Sequence, residues 1–163
     1  RWYEPFELLG TPLAERFGLH LVSNQPTTRL HSQFDHSDIS RSTKIHGREP
    51  ARMHPTEAAV RGLAEGDIIR VYNDRGACLA GLSISDAIAP GILQLATGAW
   101  YDPDETGMCK HGNPNVLTHD KGTSRLAQGP SAHTCLVEVE KFTGELPPIT
   151  AFDPPTFAPR TQS

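Results

Sequence analysis

Residues 55–84 constrain the fold more than any other stretch. Pro55 suits a first helical position, Glu57 a first turn and Gly62 a left-handed close, which predicts a short helix over Pro55–Arg61. That helix would bury Ala58, Ala59 or Val60 and leave Arg61 in water. Glu65-Gly66-Asp67 then turns into an apolar strand, Ile68–Tyr72, and Asn73-Asp74-Arg75-Gly76 turns back into Ala77–Ile84. Two strands have no adequate core of their own, so further strands must close around them. Leu19–Ser23, Ile92–Ala96 (after the Pro90-Gly91 turn) and Thr134–Val139 supply these. With 14 Gly and 14 Pro, the chain is too punctuated for a helical bundle, and it has too few apolar-striped helical stretches for a doubly wound sheet. The expected architecture is mainly β: a small closed or nearly closed barrel with short inserted helices.

A length of 163 residues fits one domain. The net charge of -4 gives no general steering toward nucleic acid, and no apolar run approaches a membrane span, so no membrane insertion is expected. Cys78, Cys109 and Cys135 lack CxxC spacing and read as buried thiols, suited to a reducing compartment. Residues 1–18 carry Trp2, Phe6, Leu8, Leu9 and Leu13 and read as an opening segment from a preceding domain. Residues 145–163 hold five prolines and read as an extended or disordered tail.

Three loop regions carry the polar chemistry. Between Asn24 and Gln33 lie amides (Gln25), hydroxyls, the Arg29 guanidinium and the His31 imidazole, a set able to read a heterocycle and hold a phosphate. A self-capped polar loop is the plain alternative. His31 and His36 with Asp35 lack a third ligand at convincing spacing, so no metal residue is assigned. In Gly98–Pro103, Trp100 can form a stacking wall and Asp102 can accept two N–H donors from a base edge such as guanine; a core Trp with a turn-fixing Asp competes. The third region offers Asn113 and Asn115 around Pro114, then Ser124 and Gln128 beside Lys121 and Arg125, an amide-rich and anion-binding arrangement or mere loop chemistry. No Ser/His/acid set, phosphate loop or Rossmann fingerprint is present, and no catalytic residue is assigned. The residues describe a cofactor-holding barrel with an amide-rich rim.

Several ordered motifs then carry a resemblance. Leu19-His20-Leu21-Val22-Ser23 with Arg29-Leu30-His31-Ser32-Gln33, Gly47-Arg48-Glu49-Pro50, Val71–Gly76, Trp100-Tyr101-Asp102-Pro103, Asn113–Thr118 and Gly122–Gly129 are met in order. Together they resemble the C-terminal molybdopterin dinucleotide-binding domain of the dimethyl sulfoxide, trimethylamine N-oxide and biotin sulfoxide reductases. The resemblance implies a double-psi β-barrel over residues 19–144, closing on a bis(molybdopterin guanine dinucleotide) molybdenum cofactor whose metal ligand comes from an earlier domain. It places Gln25 and His31 at the pterin, Arg29 in the same loop, Trp100 and Asp102 at a guanine, and Asn113, Asn115, Ser124 and Gln128 in later cofactor-facing loops. The implied parent reduces S-oxides or N-oxides by two electrons, of the biotin sulfoxide or dimethyl sulfoxide type. Its implied partners are the preceding domains of the same polypeptide and an external electron donor; the compartment is cytoplasmic or, for exported relatives, periplasmic. An isolated barrel would hold the cofactor weakly, because other domains bury the rest of it. A stand-alone binding or interaction barrel, and the equivalent domain of a formate dehydrogenase or nitrate reductase, stay open as alternatives.

Overall fold

The computed structural model describes residues 2–157. Six strands form its body: β1 (Leu19–Val22), β2 (Pro50–Met53), β3 (Ile68–Asn73), β4 (Gly76–Ile84), β5 (Ile92–Leu95) and β6 (Leu136–Lys141), with helices α1 (Asp38–Ser42) and α2 (Pro55–Val60) between them. The order β1-β5-β2-β4-β3-β6 closes on itself, because β6 returns to pair antiparallel with β1 at Leu19↔Val137. Two neighbouring pairs, β1–β5 and β2–β4, are parallel; the others are antiparallel. This is a mainly β, six-stranded closed barrel with short helices, consistent with the double-psi expectation, and closure leaves no open sheet edge.

Alternation fills the interior. Leu19 and Leu21, Ala51 and Met53, Ile69 and Val71, Leu93 and Leu95, and Val137 and Val139 all point into one buried core. β4 is buried on both faces: Cys78, Ala80 and Leu82 join the core while Leu79 lies against the 109 segment, whose Cys109 carbonyl accepts the Leu79 N–H at 2.8 Å. Gly81 has to be glycine, since a Cβ there would stand 2.3 Å from Ile45 Cβ. All three cysteines are free and buried.

The β3–β4 hairpin forms where the turn chemistry placed it, with the Asn73 side chain accepting the Arg75 N–H at 3.0 Å. Gly62 adopts φ +65° after α2, as its closing position requires. Other expectations need correction. Arg61 is not in water: its guanidinium is largely covered and pairs with Glu57 and Glu138, both at 2.6 Å. The burial expected of Ala58, Ala59 or Val60 on α2 is met by Ala58, while Val60 is 83% exposed. The last strand begins at Leu136 rather than Thr134. Among the strands and α-helices, two escaped the sequence reading: α1, started by Ser37 accepting the Ser40 N–H, and β2.

Both flanks are tied to the barrel. From the opening segment, the Glu7 carboxylate takes Arg75 at 2.6 Å, His119 at 2.9 Å and the Leu136 N–H. From the far end, the Pro147 carbonyl accepts from Arg48 at 2.7 Å, and Phe152 packs edge-on against His111 with centroids 4.9 Å apart. Residues 158–163 of the tail lie outside the described residues. Among the described residues no helix is long and apolar enough to cross a membrane.

Candidate functional site

Because β1 and β5 run parallel and adjacent, their C-terminal ends leave the barrel on the same side. The loop after β1 therefore meets the loop after β5. The Thr97 N–H bonds the Asn24 carbonyl at 2.9 Å, and the Trp100 indole N–H bonds the Ser32 carbonyl at 2.7 Å. Gly98, at φ +93°, passes so close that a Cβ on it would lie 1.8 Å from the His31 carbonyl oxygen. His31 itself takes the left-handed φ of 49°.

Above this junction opens a cleft of about 490 Å³ lined by His31, Ser32, the 97–101 backbone and side chains, Asn113 and Asn115. Its size is that of a small-molecule site. Trp100 is half-buried, flanked by His36 and Phe152 with centroids 5.5 Å away in each case. Asn113 and Asn115 sit at the start of a single helical turn, Pro114–Val116, where Asn113 Oδ1 accepts the Asn115 N–H at 2.9 Å. The walls thus combine an aromatic surface, an imidazole, amides and a hydroxyl, which suit a planar heterocycle.

Four of the nine residues singled out from the sequence line this cleft: His31, Trp100, Asn113 and Asn115. The others do not. Gln25 is exposed and turns its amide to the Arg29 carbonyl at 2.7 Å. Ser124 and Gln128 sit on an exposed loop, with Ser124 Oγ accepting the Ala127 N–H at 3.1 Å and Gln128 Nε2 donating to the Arg125 carbonyl at 3.4 Å.

Arg29 is not presented to a phosphate at the surface. Its side chain is fully buried, with Nη2 3.0 Å from Glu49 and 2.9 Å from the Thr97 carbonyl, and Nε 3.5 Å from Asp35. Lys44 lies in the same layer, 2.8 Å from Asp35 and 2.9 Å from Glu49. Two cations face two carboxylates, and the layer is neutral when the buried His111 beside it is neutral. Burial works to raise the Asp35 carboxyl, but the Lys44 and Trp100 N–H donors with the Lys44 and Arg29 charges hold it below the usual carboxylate range.

Asp102 is likewise committed internally. Its Oδ2 accepts the Thr150 N–H at 2.7 Å, and its Oδ1 accepts the Thr150 hydroxyl and lies 3.1 Å from Lys110 Nζ. Burial acts to raise its carboxyl, and these donors outweigh it and bring the pKa down. Its two oxygens anchor the 147–153 segment to the barrel, so a guanine edge would have to displace Thr150. Sequence reasoning gave no role to Lys44 and Thr150, whose local pattern does not distinguish them from surface residues, and met Glu49 only within the Gly47-Arg48-Glu49-Pro50 motif.

His111 gives a pH prediction. Burial pushes its ring below the usual 6.5, and Lys44 adds to the effect. The unfolded chain takes up this proton near neutrality while the folded chain resists, so the unfolded state binds more protons and stability falls on mild acidification. One such group contributes at most about 1.4 kcal/mol per pH unit. Asp35 and Asp102, being depressed, keep their contribution above the ordinary carboxylate range and lose it only in more acid solution. Urea unfolding at about pH 7.5 and 5.5 is expected to show the fall, and His111→Gln to make it shallower. An identical slope in the variant would contradict a neutral buried ring.

Among the described residues no group of three or more His, Cys, Asp or Glu side chains is placed to hold a metal ion. The family model described as "Molydopterin dinucleotide binding domain" matches residues 19–136. Trimethylamine-N-oxide reductase of Salmonella typhi is 50% identical over 160 residues, covering 94% of this chain and 19% of that protein. Dimethyl sulfoxide/trimethylamine N-oxide reductase of Rhodobacter capsulatus is 44% identical over 161 residues, 96% of this chain and 19% of that protein. Among solved structures, acetylene hydratase from Pelobacter acetylenicus superposes with a TM-score of 0.72 over 87% of this chain and 21% of its own, at 21% identity, a likeness of fold. The chain spans about a fifth of the length of the curated relatives it matches.

Proposed function

Since this chain belongs to the molydopterin dinucleotide binding domain family and is related to the dimethyl sulfoxide/trimethylamine N-oxide reductases, we propose that its cleft holds part of a bis(molybdopterin guanine dinucleotide) cofactor within a larger molybdenum oxidoreductase. The single observation that carries this reading is the convergence of His31, Trp100, Asn113 and Asn115 on one cleft at the shared end of two parallel strands. The donor set fits the group: amides and imidazole complement a heterocycle's edge, and the indole offers a face for stacking. When bound, the cofactor supplies the oxygen-atom and electron transfer. The residues of this chain bind and orient it. Trp100 forms one wall, Asn113 and Asn115 offer amides at the rim, and His31 presents a ring able to donate or accept a hydrogen bond at its edge.

The whole polypeptide then catalyses two-electron reduction of an S-oxide or N-oxide, re-reduced by an external donor. The activities named for the relatives at 44–50% identity support that substrate class. In the full-length polypeptide, the double substitution Trp100→Ala/Asn115→Ala is expected to lower retained guanine about tenfold, the scale of one lost stacking contact. Val60→Ser, on the exposed side of α2, serves as the control that keeps it. Full guanine content in the double variant would remove the cleft from the cofactor site.

A further inference from the structure

We propose that Asp35 is a positioning residue that fixes the peptide of Trp100 and thereby the aromatic wall of the cleft; this rests on the cleft being the cofactor site. Trp100 is held at three points. Its N–H donates to Asp35 Oδ2 at 2.9 Å, its carbonyl accepts from His111 Nδ1 at 3.0 Å, and its indole N–H donates to the Ser32 carbonyl at 2.7 Å. The carbonyl fixes the His111 tautomer with the proton on Nδ1, because a bare ring nitrogen could not bond an oxygen. His111 Nε2 is buried and finds no partner among the described residues, so the ring's one bond goes to this peptide.

Asp35 is itself immobilised. Its side chain is fully buried, its Oδ1 takes Lys44 at 2.8 Å and the Ser40 hydroxyl at 3.2 Å, and Arg29 lies 3.5 Å away. Arg29 extends the same support to the Thr97 carbonyl, three residues before Trp100. A backbone N–H bonded to an ionised carboxylate is held more firmly than one bonded to a neutral acceptor, and a dry surrounding strengthens it further. The charged layer beneath the cleft therefore acts as a rigid floor for the 97–101 segment, and Asp35 is the group in it that reaches the Trp100 N–H. Ordering of this wall before binding lowers the cost of association.

The test pairs two readouts. In this chain, Asp35→Asn keeps an acceptor but removes the charge. The Trp100 amide is then expected to exchange with solvent about tenfold faster than the loss of global stability alone would give, as one weakened charge-assisted bond would produce, with the Ile69 and Val71 amides of β3 reporting that global loss. In the full-length polypeptide the same substitution is expected to lower guanine content severalfold. Unchanged Trp100 exchange, or faster exchange with guanine fully retained beside a guanine-loaded wild type, overturns the proposal. A wild type that carries no guanine instead overturns the cleft reading, while exchange still decides the role of Asp35. Should Asp35→Asn not fold, Ser40→Ala removes one bond to the same carboxylate; it is expected to quicken Trp100 exchange selectively, and no selective change would overturn the proposal.

Discussion

Arg29→Met lowers the free energy of unfolding by about 3–5 kcal/mol, the cost of breaking a buried ion pair from one side. The substitution keeps most of the side-chain length and leaves Asp35 and Glu49 facing Lys44 alone. One carboxylate is then buried without compensation, and the Thr97 carbonyl loses its donor. An arginine displayed on a loop to catch a phosphate would change stability by less than about 0.5 kcal/mol when replaced. Urea unfolding separates these cases directly. A near-neutral Arg29→Met would mean that the layer beneath the cleft does not support it.

Gly98→Ala is the second large effect, expected at about 2–5 kcal/mol from a left-handed backbone combined with overpacking. The added methyl would meet the His31 carbonyl carbon at 2.3 Å as well as its oxygen, and backbone cannot swing aside as a flexible side chain can. The loop after β1 must move away from the loop after β5, which opens the cleft between His31 and Trp100. Thermal unfolding and cofactor retention should therefore fall together. A variant of wild-type stability would show that the two loops do not meet at Gly98.

These two positions also show what could be read from the sequence. The β3–β4 hairpin was legible because its signals are local: an Asx turn, two apolar runs of strand length and a glycine closing the helix before them. β2 was not, since Pro50 and Arg52 interrupt a four-residue run whose strand character comes from pairing with β4 and β5 on either side. α1, with five residues, has too short a period to register. The same division runs through the site. His31, Trp100, Asn113 and Asn115 carry recognisable side-chain chemistry in loops that follow strands or flank a proline, and the parallel β1–β5 pairing brings the first two loops together. The charges misled. Arg29 and Asp102 look like ligands for phosphate and guanine, but their partners, Glu49 and Thr150, stand 20 and 48 residues further along the chain. Nothing short of the fold reveals that both are buried.

Metal and nucleotide analysis of the longest native polypeptide containing residues 19–144, purified without oxygen from a host that makes the cofactor, tests the central claim most directly. The expected result is molybdenum or tungsten with about two guanine nucleotides per metal. A full-length polypeptide free of both metal and guanine would contradict it and leave a barrel whose cleft serves some other ligand.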